Sequence, residues 1–354
     1  MIGQRLKTAR TARGFSLRDL EAHIGSRVTA QAIGKYERDE SMPSSGVLTV
    51  LAQALSVSED YLLSDEEIAL EGVDFRKKAI ASAREQAALQ ARTLHFIERY
   101  LVVEDLLHLR SVNWEQPRGA PYPVGDLRDA EDVARSVREG WGLGHDPIPK
   151  LAELLEERGI KVISLDLDDV DGLAAKVSRK GQDAARVIVI KRSTWSERKR
   201  FNLAHELGHL VMEVAHGVDG EKAAHRFAGA LLMPADALRA EVGSSRSSLS
   251  LGELVALKER FGVSLQALTY RCKDLGIISQ GAFGKLFQIF AERGWRTAPY
   301  EEPGSLRPEL EEPKRFERLC YRALAEGLIG ESRAAELLGI SIRELDARLD
   351  QEAA

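Results

Sequence analysis

The amino-acid sequence predicts a mainly α fold with one small antiparallel β-sheet, the α+β class. Gly- and Pro-free stretches opened by Ser or Thr and closed by Gly dominate the 354 residues. Strand-like character is confined to three short runs, 161–165, 173–177 and 186–190, bounded by Asp, Gly and Ser. Hydrophobic residues at 44% and charged residues at 30% are those of an ordinary soluble chain. The length allows two or three domains. A net charge of −5 gives no global attraction to nucleic acid, so any such contact needs a local basic face. No run is apolar enough to span a bilayer, and the first residues lack a secretory core. A cytoplasmic protein without membrane contact is therefore expected. Cys272 and Cys320 lie far apart in apolar helical sequence and are expected to be reduced and buried.

Residues 2–13 read as an amphipathic helix with Leu6 and Ala9 inward, ended by Gly14. Ser16 is the N-cap of a second helix, with Asp19 three residues on and Gly25 closing it. Thr29 caps a third, 44–55 form a fourth and 58–63 a fifth. Five short helices, the second and third joined by a tight turn, are what a helix-turn-helix module needs. The stretch closely resembles the Cro/phage-repressor (XRE-like) family, with Leu17, Leu20, Ile24, Val28, Ile33 and Leu51 at its core positions. In that geometry Thr29, Ala30 and Gln31 face base edges in the major groove, and Gln can read adenine bidentately. Lys35 and Arg38 follow one and two turns later, and Arg18 reaches the DNA backbone. In this family the positions of Arg10 and Glu37 form a structural ion pair, so neither is counted as a DNA contact. Asp19, Glu21, Glu37, Asp39 and Glu40 are mixed among these bases, which leaves a helical protein-interaction module as the second reading.

From Ser64 to about Ser111 the composition shifts to strong helix formers. A helix of about 35 residues there would span roughly 50 Å. It reads as a spacer packed on its neighbours or as a dimerisation helix, since repressor-type modules bind paired half-sites. A turn-rich stretch, Gln116-Pro-Arg-Gly-Ala-Pro-Tyr-Pro, then marks a boundary. Helices over 130–141 and 148–158 and the three strand runs follow. A small sheet beside a catalytic helix suits a protease, because an edge strand can hydrogen-bond an extended substrate.

Residues 204–209 read Ala-His-Glu-Leu-Gly-His, an H-E-x-x-H motif inside an unbroken helical pattern. On a helix His205 and His209 share a face and can offer two imidazoles to one metal ion. Glu206, one step round, can take a proton from water at that ion. A catalytic zinc normally takes a third protein ligand. The next helical segment, 220–232, offers Glu221 and His225, and the loop before it offers His216 and Asp219; spacing alone does not choose. Glu197-Arg-Lys-Arg-Phe-Asn-Leu-Ala-His-Glu-Leu-Gly-His with Glu221-x-x-Ala-x-x-Phe-Ala-x-x-Leu-Leu-Met-Pro resembles the ImmA/IrrE metallopeptidases. The resemblance implies a zincin-like peptidase fold and Glu221 as third ligand. It also implies a specific DNA-bound repressor as substrate. Family members often carry Asn or Asp where this chain has His225, so His225 and His216 stand as a secondary site.

After Pro234 helices are expected over 250–261, 264–275, 280–293, 314–326 and 332–338. The stretches starting at Val263 and Ser332 look like helix-turn-helix fragments. The first is read as completing the peptidase core and the second as an interaction or sensor module. The expected division is 1–65, a DNA-binding domain; 66–115, a helical linker; 116–275, the peptidase; and 276–354, a helical C-terminal region. The function expected is a DNA-binding transcriptional regulator with a zinc-dependent endopeptidase, Mn2+ being another candidate ion. Operator DNA, a helix-turn-helix repressor as substrate and a second copy of the chain are the expected partners. The alternative is a transcription factor or antitoxin-like DNA-binding protein whose metal site is structural or silent.

Overall fold

The computed structural model describes residues 2–64, 68–72, 83–109, 114–167, 171–179, 182–297, 302–307 and 309–352. The α+β class holds: helices dominate, with short strands in two small sheets. The first helices are α1 (Gly3–Ala12), α2 (Leu17–His23), α3 (Ala30–Glu37), α4 (Ser45–Leu55) and α5 (Glu59–Leu63). Strand β1 (Ile68–Glu71) and the long α6 (Ala83–Leu106) follow. Next come β2 (Tyr122–Val124), α7 (Asp129–Gly140), α8 (Leu151–Glu157), β3 (Ile160–Leu165), β4 (Gly172–Arg179) and β5 (Gln182–Lys191). Then α9 (Ser196–Val211), β6 (Met212–Val214), α10 (Gly220–Leu232) and α11 (Ala235–Val242) surround the motif region. The chain ends through α12 (Leu251–Phe261), α13 (Leu265–Asp274), α14 (Gln280–Glu292), α15 (Arg315–Ala325), α16 (Glu331–Leu338) and α17 (Ile342–Glu352).

These elements gather into two compact units. The first holds residues 1–113, 175–187 and 314–354. Its N-terminal helices close on an apolar core of Leu6, Leu20, Ile33, Leu51 and Leu62, all fully buried. Local chemistry sets their ends. Ser16 Oγ accepts from Asp19 N at 3.1 Å while Asp19 returns the bond to Ser16 N at 2.7 Å, a complete capping box. Thr29 Oγ1 caps α3 through Ala32 N at 3.2 Å. Gly25 takes the left-handed conformation, φ 66°, that the turn between α2 and α3 requires. Arg10 clamps α1 to α3: Nε and Nη2 meet the Glu37 carboxylate at 2.5 and 3.0 Å.

The described part of α6 uses its apolar faces inside the chain, as a packed spacer does. Tyr100 and Val103 share a core with Phe316, Leu319 and Cys320 of α15, Ala335 and Leu337 of α16 and Leu345 of α17. Helix α17 lies within the helical C-terminal region expected over 276–354. The expected helical residues 75–82 lie outside the described residues. Strand β1, unmarked in the sequence, pairs antiparallel with the far half of β4, Ile68 opposite Arg179 and Glu71 opposite Lys176.

The second unit holds residues 114–174 and 188–313. The near halves of β4 and β5 and strand β3 form its sheet. Strands β2 and β6 make a separate parallel pair, Tyr122 opposite Met212. Helix α9 runs through the core, flanked by α10, with Leu203, Leu207, Phe227 and Ala228 fully buried. Helices α12 and α13 add Leu254, Phe261, Leu268 and Cys272 to the same core, so the first helix-turn-helix-like fragment is packing, not a reading head.

This interior also encloses charges. Arg200 Nη1 meets Glu311 Oε1 at 2.6 Å, both side chains being essentially without exposure. Glu311 also accepts from Leu151 N and Ala152 N at 3.1 and 2.8 Å, so its charge sits at the positive end of α8. Lys258 lies between Glu197 and Glu302 at 2.9 and 3.0 Å. Glu302 accepts from Leu265 N at 2.8 Å, and Glu197 from Leu306 N at 3.0 Å. The stretch between α14 and α15 is thus a strap fastened by the buried carboxylates of Glu302 and Glu311. Cys272 and Cys320 are free and buried, and burial pushes each thiol up to about 12. Among the described residues no helix is long and apolar enough to cross a membrane.

Candidate metal centre

Helix α9 has no Gly or Pro until Gly208, and there the missing side chain serves packing. A Cβ on Gly208 would stand 3.0 Å from the Phe227 ring, so its absence lets α10 approach α9 closely without displacing that ring. The contact brings the first turn of α10 beside the last turns of α9. Asp219 is the N-cap of α10, accepting from Glu221 N and Lys222 N at 3.1 and 3.2 Å. It therefore aims Glu221 and does not join the imidazoles.

His205 Nε2 lies 3.2 Å from His209 Nε2 and 3.1 Å from Glu221 Oε2. Glu221 Oε1 is 3.4 Å from His209 Nε2. A tetrahedral ion with bonds near 2.0–2.1 Å would hold its ligand atoms about 3.3 Å apart, so the three side chains fit a zinc-sized ion. Among the described residues this is the one cluster of His, Cys, Asp and Glu with that proximity. His205 is buried, while His209 and Glu221 keep 27% and 37% of their side-chain surface, which leaves the cluster open on one side.

Glu206 is 3% exposed and faces the start of β4. A Cβ on Gly172 would sit 3.3 Å from both Glu206 Cγ and Oε1 and 3.0 Å from Val189 O, so glycine lets the strand lie against this carboxylate without a shift of either. Asp171, just before it, is held to α9 by Arg198, whose Nε donates at 3.1 Å, and by Asn202 Nδ2 at 3.3 Å to its carbonyl. Sequence reasoning missed Asp171, Gly172, Arg198 and Asn202. The Asp-Gly pair had been read only as a strand boundary. The Gly172 end of β4 thus lies against Glu206.

His225 lies one turn beyond Glu221. Its ring centroid is 4.6 Å from His205 and 5.6 Å from Phe201. Loss of water against these rings, and then the neighbouring His205, lower its pKa. It is outside the three-ligand cluster, beside it. His216 is exposed in the loop and is not brought to the cluster.

The second candidate surface is the α2–α3 face. Arg18, Gln31 and Lys35 are exposed there and Ala30 is half-buried. Thr29 is also exposed, but its hydroxyl serves the cap. Ala30 N donates to Glu21 Oε2 at 3.1 Å, which places a carboxylate at the start of α3. Arg38 is paired with Glu40 at 2.6 and 3.0 Å. Arg10 and Glu37 are mutually engaged and only 12% and 8% exposed, as their exclusion from the DNA contacts requires.

Two family models match the chain. Residues 155–273 match the IrrE N-terminal-like domain of the Peptidase_M78 family, and residues 6–62 match a helix-turn-helix domain. A stretch of 63 residues is 41% identical to the SPbeta prophage-derived uncharacterized HTH-type transcriptional regulator YonR of Bacillus subtilis (strain 168). It covers 18% of this chain and 56% of that protein, so the match spans just over half of the relative.

Proposed function

Taking the chain as one that joins a helix-turn-helix domain to an IrrE N-terminal-like peptidase domain, we propose a DNA-binding transcriptional regulator that is also a zinc-dependent endopeptidase. Its substrate would be a specific regulatory protein, a helix-turn-helix repressor being the class that the resemblance implies. The observation that carries the peptidase half is the meeting of His205, His209 and Glu221 at tetrahedral separations, with the buried Glu206 alongside.

Bound there, a divalent cation supplies Lewis acidity to a carbonyl oxygen and to water. His205 and His209 would hold it through Nε2 and Glu221 through its carboxylate. Glu206 takes the proton of the attacking water and passes it to the leaving amine. The Gly172–Ala174 strand offers backbone groups along which an extended substrate segment can lie, with its scissile bond beside Glu206. His225 stands at the rim, where it can donate a hydrogen bond to substrate. Operator DNA is the proposed partner of Arg18, Gln31 and Lys35, and the cytoplasm is the compartment this pairing of partners favours.

The deciding experiment measures metal content and cleavage together, with candidate repressors as substrates. His205→Ala and Glu221→Ala should each lose metal and cleavage. Glu206→Gln should keep its metal and bind substrate without cutting it. Full metal occupancy in His205→Ala, or wild-type cleavage by Glu206→Gln, would overturn the reading. Stoichiometric metal with no cleavage of any repressor would favour a structural site in a transcription factor.

A further inference from the structure

Within the first compact unit, Arg99 of α6 is a largely enclosed cation that forms no ion pair among the described residues. Helix α6 turns His95, Glu98, Arg99 and Val102 to one side, at the i, i+3, i+4 and i+7 spacing of a single face. They line a cavity of about 310 Å³, within the range of about 300–1,000 Å³ typical of small-ligand sites. Arg5 of α1, Asp60 and Tyr61 of α5 and Arg333 and Glu336 of α16 also belong to its polar wall. Val57 and Leu337 join Val102 as its apolar wall.

Two of the three guanidiniums of this wall sit in ion pairs, and Arg99 and the carboxylate of Asp60 stand outside them. Arg5 meets Glu98 at 3.4 Å, and Arg333 meets Glu336 at 2.5 Å. Arg99 donates from Nη1 to the Leu337 carbonyl at 2.8 Å and lies over the Phe96 ring at 5.2 Å. Its Nε is enclosed without a hydrogen-bond partner, and among the described residues no carboxylate forms an ion pair with it. Burial accordingly lowers its pKa. His95 Nδ1 is enclosed in the same way. Burial, and then the Arg99 charge, bring that imidazole down to about 3, so it stays neutral and adds no second cation. A largely enclosed charge without an ion-pair partner is costly, and an anion entering the cavity would offset that cost.

We propose that this cavity binds a small organic monocarboxylate, its carboxylate on Arg99 and its apolar body against Val57, Val102 and Leu337. One negative charge is what the wall accepts. The guanidiniums of Arg5 and Arg333 are already neutralised, and Glu98, Glu336 and the rim residue Asp60 oppose a second charge. The occupant touches the DNA-reading module through α1 and α5 and the C-terminal helices through α16. It therefore acts as an effector of the first unit, independent of any metal chemistry.

The test titrates the full-length protein with benzoate and hexanoate by calorimetry. Benzamide and hexanamide serve as uncharged isosteres and phenyl phosphate as a dianion. At least one carboxylate should bind saturably, ten-fold or more tighter than its amide and than phenyl phosphate. Arg99→Gln should weaken it ten-fold or more. Val102→Trp, which fills the apolar end and leaves Arg99 in place, should abolish it. Hydrogen exchange should slow at residues 95–102 and 333–337 when the carboxylate is bound. Circular dichroism and melting establish that each variant is folded. If Arg99→Gln does not fold, Val102→Trp and the exchange map decide alone. No saturable binding of either carboxylate, equal binding of the amide, tighter binding of phenyl phosphate, or binding unchanged by both variants would overturn the proposal.

Discussion

Residues 2–64 and the peptidase region bury different things. In the first, Arg5 is the one charged residue buried as a whole among the described residues, the Arg10–Glu37 pair is nearly enclosed, and the rest of the core is apolar. In the second, Glu156, Lys161, Glu197, Lys199, Arg200, Glu206, Lys258, Arg271, Glu302 and Glu311 are all enclosed. The fastenings differ in reach as well. Ser16 and Asp19 are three residues apart, whereas Glu311 and Leu151 are 160 apart. A small helical module can be specified by apolar spacing and local caps. The peptidase unit depends on long-range charge pairs, each of which must be complete, because half of a buried pair is worse than none.

The largest break in this contrast should come from Glu311→Ala. It leaves the buried Arg200 without its carboxylate and two α8 amides without an acceptor. A loss of about 3–5 kcal/mol is expected, read as faster hydrogen exchange across 148–157 and 196–211. Unchanged exchange there would show that the strap is ornamental.

Arg10→Ala should cost less, about 2 kcal/mol, because the Glu37 pair is charge-assisted but keeps some contact with water. It should lower the melting temperature of the helix-turn-helix module. Gln31→Ala should leave melting unchanged and relax operator choice at one base pair, by about 1–3 kcal/mol per half-site, in a binding-site selection. Equal melting losses in both variants would erase the distinction between fastening and reading residues.

The smallest effect is a pH signature. Burial raises the pKa of Glu131, but hydrogen bonding and charge from Arg271, with Arg226, outweigh it and hold the carboxyl below the ordinary 4.5. A folded pKa below the unfolded one contributes stability above the unfolded value and loses it as pH falls through the folded value. The stability advantage of wild type over Glu131→Gln should therefore be full at neutral pH and fade below about pH 4. An advantage that persists undiminished at pH 2 would mean the contact is steric, not ionic.

The same contrast explains what was legible in the sequence. The caps at Ser16 and Thr29 and the apolar stripe of α9 are written within a few residues of one another, so the first five helices and the His205–His209 pair could be placed from spacing. Glu221 could not: residue chemistry left it level with His225, His216 and Asp219, and only the resemblance singled it out. Asp219 looked like a ligand because a capping carboxylate and a coordinating one have the same composition. Strands β1, β2 and β6 are three or four residues long and exist through pairing with distant chain, which leaves no periodicity to read. Gly172 matters for what its neighbour Glu206 lacks room to avoid, and the sequence carries no trace of that approach.

The strap bears on how this protein can be divided. Its buried carboxylates lie at 302 and 311, beyond the last helices of the peptidase core. A fragment ending at residue 275 would carry His205, His209, Glu206 and Glu221 intact. It would nevertheless strip Arg200 of its one carboxylate partner among the described residues, leaving that cation to the Ile148 and Pro149 carbonyls, and it would halve the counter-charge around Lys258. The second compact unit accordingly reaches to Pro313. A cut within this stretch should loosen the helix that carries His205 and Glu206 without touching either residue.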